Sequence, residues 1–133
     1  MENPDDHLVL PEIISKEPLG PLVRHGDDNR ADNGLWVLNA LVIAEEKGIT
    51  QAIIDSWGDT KDAEIHRLLG TGDDDMMAMV GMPKNALYNA IKAGGNYGEI
   101  FERNIGVNTP LGISRGLNAL WTKGGLLYSP PFR

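Results

Sequence analysis

The 133-residue chain is long enough for one domain with a modest core and too short for two. Its formal net charge of −7, with 12 scattered Lys and Arg residues, repels phosphate backbones and anionic lipid surfaces, so no nucleic-acid partner is expected. The absence of Cys excludes disulfides, thiol catalysis and Cys-based metal sites.

In chain order, His7 to Ile14 is apolar and β-branched with Pro11 in its middle, which predicts an edge strand or a bent one. Pro18 and Pro21 bracket a turn at Leu19-Gly20, and Leu22-Val23 allows a second short strand. Gly26 to Asn29 marks a turn and a helix start, because Asp and Asn side chains accept from the free N–H groups there. The helical pattern runs from about Leu35 to Lys47, with Leu35, Leu38 and Leu41/Val42 on one apolar face and Gly48 as the stop. Further short helices are predicted over 50–57, over 63–69 and over 73–80, where three acids suit the first turn. Another follows Pro83 and contains Leu87, Tyr88 and Ile91; others cover 96–104 and 114–123, and 126–133 trails off as an extended tail. The expected fold is mainly α with a short β arm: two short strands, then six or seven short helices. Two strands make no stable sheet alone, so the arm either pairs with strands outside this chain or stays extended. No apolar run reaches the roughly 18 residues of a membrane span. Residues 1–6 carry neither the basic nor the apolar region of a signal peptide, which taken literally points to the cytoplasm.

No catalytic, ligand-binding or metal residue emerges. Gly112-Ile-Ser114-Arg-Gly116 has the nucleophile-elbow spacing, but no strand precedes Ser114 and all three His (7, 25 and 66) lie before it. Asp27, Asp28, Asp32 and Gly34 fail the calcium-loop pattern, since Arg30, Asn33 and Asn39 stand at required positions. Capping and solvated turns account better for these acids and for Asp73 to Asp75. The three His lack metal-binding spacing, and Gly94 to Gly98 follows no strand and reads as a helix stop and restart. Trp36, Trp57 and Trp121 sit in apolar helical contexts and are expected as core anchors. The chain is therefore read as a non-enzyme without cofactor.

Longer words carry more. ISKEPLGPLVRHGDD (Ile14 to Asp28), LNALVIAEEKGIT (Leu38 to Thr50), NYGEIFERNIG (Asn96 to Gly106) and SRGLNALWTKGGLLYSPPFR (Ser114 to Arg133) resemble the general L-amino-acid-binding periplasmic proteins of polar amino-acid ABC transporters. The resemblance spans nearly the whole chain but only about the last third of a typical family member. It implies an α+β fragment of a type II periplasmic-binding-protein fold: a single partial domain over 1–133. Residues 1–28 would be the extended inter-lobe return arm, 29–48 a lobe-one helix and 49–133 a helical C-terminal extension. Lys16, Glu17 and Arg24 match the family's words and are read as hinge or surface positions. The implied function is that of a C-terminal segment of an amino-acid-transport binding protein, with an L-amino acid and an inner-membrane permease as partners of the intact protein, in the periplasm. The family's gripping residues lie upstream, so the isolated chain should bind ligand weakly or not at all. An alternative is a free-standing helical interaction or oligomerisation module, self-associating through apolar faces left uncovered. Asn29 to Gly34 departs from the family, which has aromatic and apolar residues there, and Gly34 weakens a helix by about 1 kcal/mol relative to Ala.

Overall fold

The computed structural model describes residues 3–8, 10, 12, 14, 15 and 19–132. Lys16, Glu17 and part of the first predicted strand lie outside them. Among the described residues there are four α-helices, five 3₁₀ turns and no strand. The expected β arm is thus corrected: Leu22 and Val23 are exposed and outside any strand, because the described residues offer them no strand to bond.

Helix α1 (Asp28–Glu46) opens on Asp27, whose carboxylate accepts the Arg30 N–H at 3.2 Å. This cap starts the helix well before Leu35, and it runs through Gly34 without interruption. Its apolar groups fall on two faces. Trp36, Val37, Ala40, Ile43 and Ala44 form the side packed into the core. Leu35 and Leu38 lie on the other side, and Leu35 remains 54% exposed.

Beyond α1, Gly48 turns the chain into buried Ile49, and residues 54–57 make a 3₁₀ turn where a helix over 50–57 was expected. Helix α2 (Ala63–Leu69) lies where its pattern predicts. Asp62 caps it by accepting the Glu64 and Ile65 N–H groups at 2.9 and 3.4 Å. Gly70 closes it at φ 67°, and a Cβ there would collide with the Lys84 carbonyl, so only glycine suits both the turn and the close approach. Residues 76–80 are a 3₁₀ turn capped by Asp75.

Helices α3 (Ala86–Gly94) and α4 (Tyr97–Asn104) pack against α1. The helix expected over 114–123 is two 3₁₀ turns, 116–118 and 121–123, around a parallel bridge between Leu120 and Leu127. Gly and Pro cut these segments too short to repay α-helix nucleation, so six or seven helices was too high a count. The tail does not trail off either. Phe132 is 1% exposed, its ring meets Trp36 edge-on at 5.1 Å, and its N–H donates to Glu64 Oε1 at 3.0 Å.

Candidate functional site

Three polar clusters lock the loops onto the helical body. At the first, Arg115 Nη2 donates to Glu45 Oε2 at 2.9 Å, with both side chains largely buried. The guanidinium also lies over the rings of Tyr97 and Phe101, 5.5 and 5.2 Å from their centres. Gly98 makes room for this pair, since a Cβ there would press on both side chains.

The second is a capping box at the start of α4. Asn96 Oδ1 accepts the Glu99 N–H at 2.9 Å, and Glu99 Oε2 accepts the Asn96 N–H at 2.8 Å. The same carboxylate accepts the Gln51 N–H at 3.0 Å, while Asn96 Nδ2 donates to the Ile49 carbonyl at 2.9 Å. The loop after α1 is thereby fixed to the α3–α4 junction.

In the third, Lys47 Nζ lies 2.8 Å from Glu64 and 3.0 Å from Asp62. Hydrogen bonds to Glu64 and then Asp62 raise the Lys47 pKa, and the bond from Lys47 lowers that of Asp62. Lys47 is therefore a fixed cation rather than a base or nucleophile. It borders an open 200 Å³ cleft with Glu46, Trp121, Tyr128 and Ser129. On the surface, Asp55 is held ionised by Lys92 and then by the Tyr88 hydroxyl, which donates to it at 2.6 Å.

Residues singled out in the sequence do ordinary structural work. Asp27 and Asp75 are caps, and Asn96 restarts the chain after Gly94-Gly95. Ser114 is exposed in an irregular loop with no strand before it. His66 Nδ1 pairs with Thr71 Oγ1 at 2.7 Å. Trp36 and Trp57 pack on the core, but Trp121 is 52% exposed and meets only the edge of Tyr128 among aromatic rings, which corrects its reading as a core anchor. Among the described residues no three His, Asp or Glu side chains converge on a metal position. What sequence reasoning missed was the Asn96–Glu99 box, although the N-x-x-E spacing before an apolar pair is its signature.

One open surface feature is mainly apolar. Pro21, Val23, Ala31, Gly34, Leu35 and Leu38 line an open groove of 220 Å³ along the first half of α1. Val42, one turn beyond Leu38 on the same side, is buried, so the open part of this side lies toward the start of the helix.

The whole chain superposes on a solved ABC-transporter periplasmic binding protein from Brucella ovis with glutathione bound, at a TM-score of 0.91 and 53% identity. It covers 100% of this chain and 42% of that one. The class is therefore defined: a helical portion of a periplasmic-binding-protein fold. Within that class, the chain matches the C-terminal part of the amino-acid-binding periplasmic proteins of ABC transporters. It is 54% identical over 134 positions to the general L-amino acid-binding periplasmic protein of Rhizobium johnstonii. The glutamate/glutamine/aspartate/asparagine-binding protein of Rhodobacter capsulatus matches over the same length, also at 54%. The chain spans 39% of the length of each of these curated relatives. No protein-family model matches it.

Proposed function

We propose that the chain serves as the C-terminal scaffold of a periplasmic substrate-binding protein that captures amino acids for an inner-membrane ABC permease. The full-length match to the C-terminal part of amino-acid-binding proteins carries this reading. In it, residues 1–28 are the return arm, 29–48 the lobe-one helix and 49–133 the C-terminal extension. The contribution of this segment is rigidity. The Glu45–Arg115 pair and the Asn96–Glu99 box hold the extension on α1, so that the helix presents a fixed surface to the remainder of the protein. The ligand is gripped by residues outside the segment; the segment itself is neither an enzyme nor a ligand or metal site.

The ligands named for the relatives share one chemistry. An L-amino acid and the γ-glutamyl end of glutathione both offer an α-amino and an α-carboxylate group. A molecule with that pair is the expected ligand of the intact protein. The test is a chimera in which this chain replaces the matching C-terminal part of the Rhizobium protein. Amino-acid affinity within about tenfold of the parent, or about 1.4 kcal/mol, supports the scaffold role. A folded chimera that no longer binds refutes it.

The groove on α1 favours a second reading, a self-associating helical module. Sedimentation velocity over a concentration series separates the two: a monomer throughout excludes the module.

A further inference from the structure

We propose that the cleft between the end of α1, α2 and residues 121–131 is a docking site for an arginine side chain presented by a protein partner. This goes beyond the scaffold reading and does not depend on it. Glu46, Lys47, Glu64, Trp121, Tyr128 and Ser129 line the cleft, which has a volume of 200 Å³. Its walls are held by bonds within the chain. The Trp121 N–H donates to the Leu127 carbonyl at 2.9 Å, and Glu64 accepts the Phe132 N–H at 3.0 Å.

The chain itself shows what such a set of groups holds. Arg115 reaches Glu45 at 2.9 Å and lies over the rings of Tyr97 and Phe101, 5.5 and 5.2 Å from their centres. One residue further on, Glu46 shares the cleft with Trp121 and Tyr128, again a carboxylate beside two aromatic rings, and no Arg lines it. Glu46 makes no ion pair among the described residues. The two rings meet edge-on, 6.1 Å between centres, and stay 52% and 62% exposed, so ring surface is open to a cation.

Lys47 does not oppose a second cation. Glu64 at 2.8 Å and Asp62 at 3.0 Å outweigh its charge, and Glu46 adds a further carboxylate. Ser129 is 5% exposed and donates its hydroxyl to the Pro130 carbonyl at 3.1 Å, which leaves its oxygen able to accept a guanidinium N–H. Arginine suits these groups better than lysine, because its planar head stacks on rings and forks onto carboxylates. A second copy of this chain fits less well, since each copy carries a net charge of −7.

The experiment titrates the isotope-labelled full chain with acetyl-Gly-Arg-Gly-amide and follows the amide and Trp indole resonances. The expected result is saturable shifts gathered on Lys47, Trp121, Tyr128 and Ser129. The same peptide with citrulline, the neutral isostere of arginine, should bind at least about tenfold more weakly. Trp121→Ala and Glu46→Gln, each with circular dichroism and melting temperature unaltered, should weaken the arginine peptide at least about fivefold. Glu46→Gln alone serves if Trp121→Ala does not fold. Absence of saturable shifts overturns the proposal, as do shifts centred elsewhere, equal binding of the citrulline peptide, or full affinity in a folded variant. Free L-arginine binding as tightly as the peptide also overturns it, in favour of a small-molecule site.

Discussion

Phe132 stands one residue from the end of the chain, yet its side chain is among the most completely buried. Replacing it with Ala removes a ring packed edge-on against Trp36 and leaves a hole in the main core. Buried Phe→Ala changes cost about 3–5 kcal/mol, the transfer of the ring plus the cavity left behind. The main-chain bonds of residue 132, from its N–H to Glu64 and from Arg67 to its carbonyl, survive the change in principle and resist collapse of the cavity. For a chain of this length each kcal/mol moves the melting temperature by about 3–5 °C, so Phe132→Ala should lower it by about 10–20 °C. Thermal melts followed by far-UV circular dichroism, with urea titration for the free energy, provide the assay. Phe132→Leu, which retains an apolar side chain, should fall between the two and serves if the Ala variant does not fold. A loss below about 1 kcal/mol for Phe132→Ala, the level of an ordinary surface change, would refute the tail's place in the core.

Other outcomes follow from the same contacts. Arg115→Ala leaves Glu45 without its partner and should cost about 3 kcal/mol in urea denaturation, toward the lower end for buried pairs because both groups keep some solvent. Arg115→Lys should recover only part of that loss, since ammonium cannot stack as guanidinium does over Tyr97 and Phe101. The Lys47–Asp62 pair should shape both ends of the stability profile. Asp62 has its pKa lowered from 3.8, so its contribution is present above that value and is lost as pH falls through the folded pKa. Lys47 has its pKa raised from 10.5, so its contribution is present below that value and is lost as pH rises through the folded pKa. The difference in melting temperature between the unaltered chain and Lys47→Met should therefore be greatest between these limits and shrink beyond each; a pH-independent difference would contradict the pairing. Two glycine changes should have opposite signs by thermal melt. Gly34→Ala, in an open helical position, should stabilise by about 0.5–1 kcal/mol, and Gly70→Ala, left-handed and against Lys84, should destabilise by more than about 1 kcal/mol.

Local punctuation made part of this architecture readable. α2 runs from Ala63 to Leu69 as its pattern predicts, because Asp62 and Gly70 mark its ends chemically. α4 begins one residue from its expected start for the same reason, at Asn96. The orientation of α1 was not readable. Both of its sides carry apolar residues, and periodicity alone does not say which of them this chain buries and which it leaves exposed. Burial of Phe132 and the Glu45–Arg115 pair depends on contacts between residues far apart in sequence, which no local pattern records. The distinction between α-helix and 3₁₀ turn over 76–80 and 116–123 was likewise decided by short segment length and tertiary bonds such as Trp121 N–H to the Leu127 carbonyl. For the candidate site, the long shared words identified the protein class, while the geometry located the uncovered surface.

The central claim is that this chain supplies scaffold and not ligand grip. Isothermal titration of the folded, isolated chain with L-glutamate, L-glutamine, L-aspartate, L-asparagine and glutathione tests it most directly. The account predicts no saturable heat with any of them at concentrations up to about 1 mM, equivalent to less than about 4 kcal/mol of binding free energy. One-to-one binding of any of these ligands with a Kd near 1 μM, about 8 kcal/mol, would contradict it.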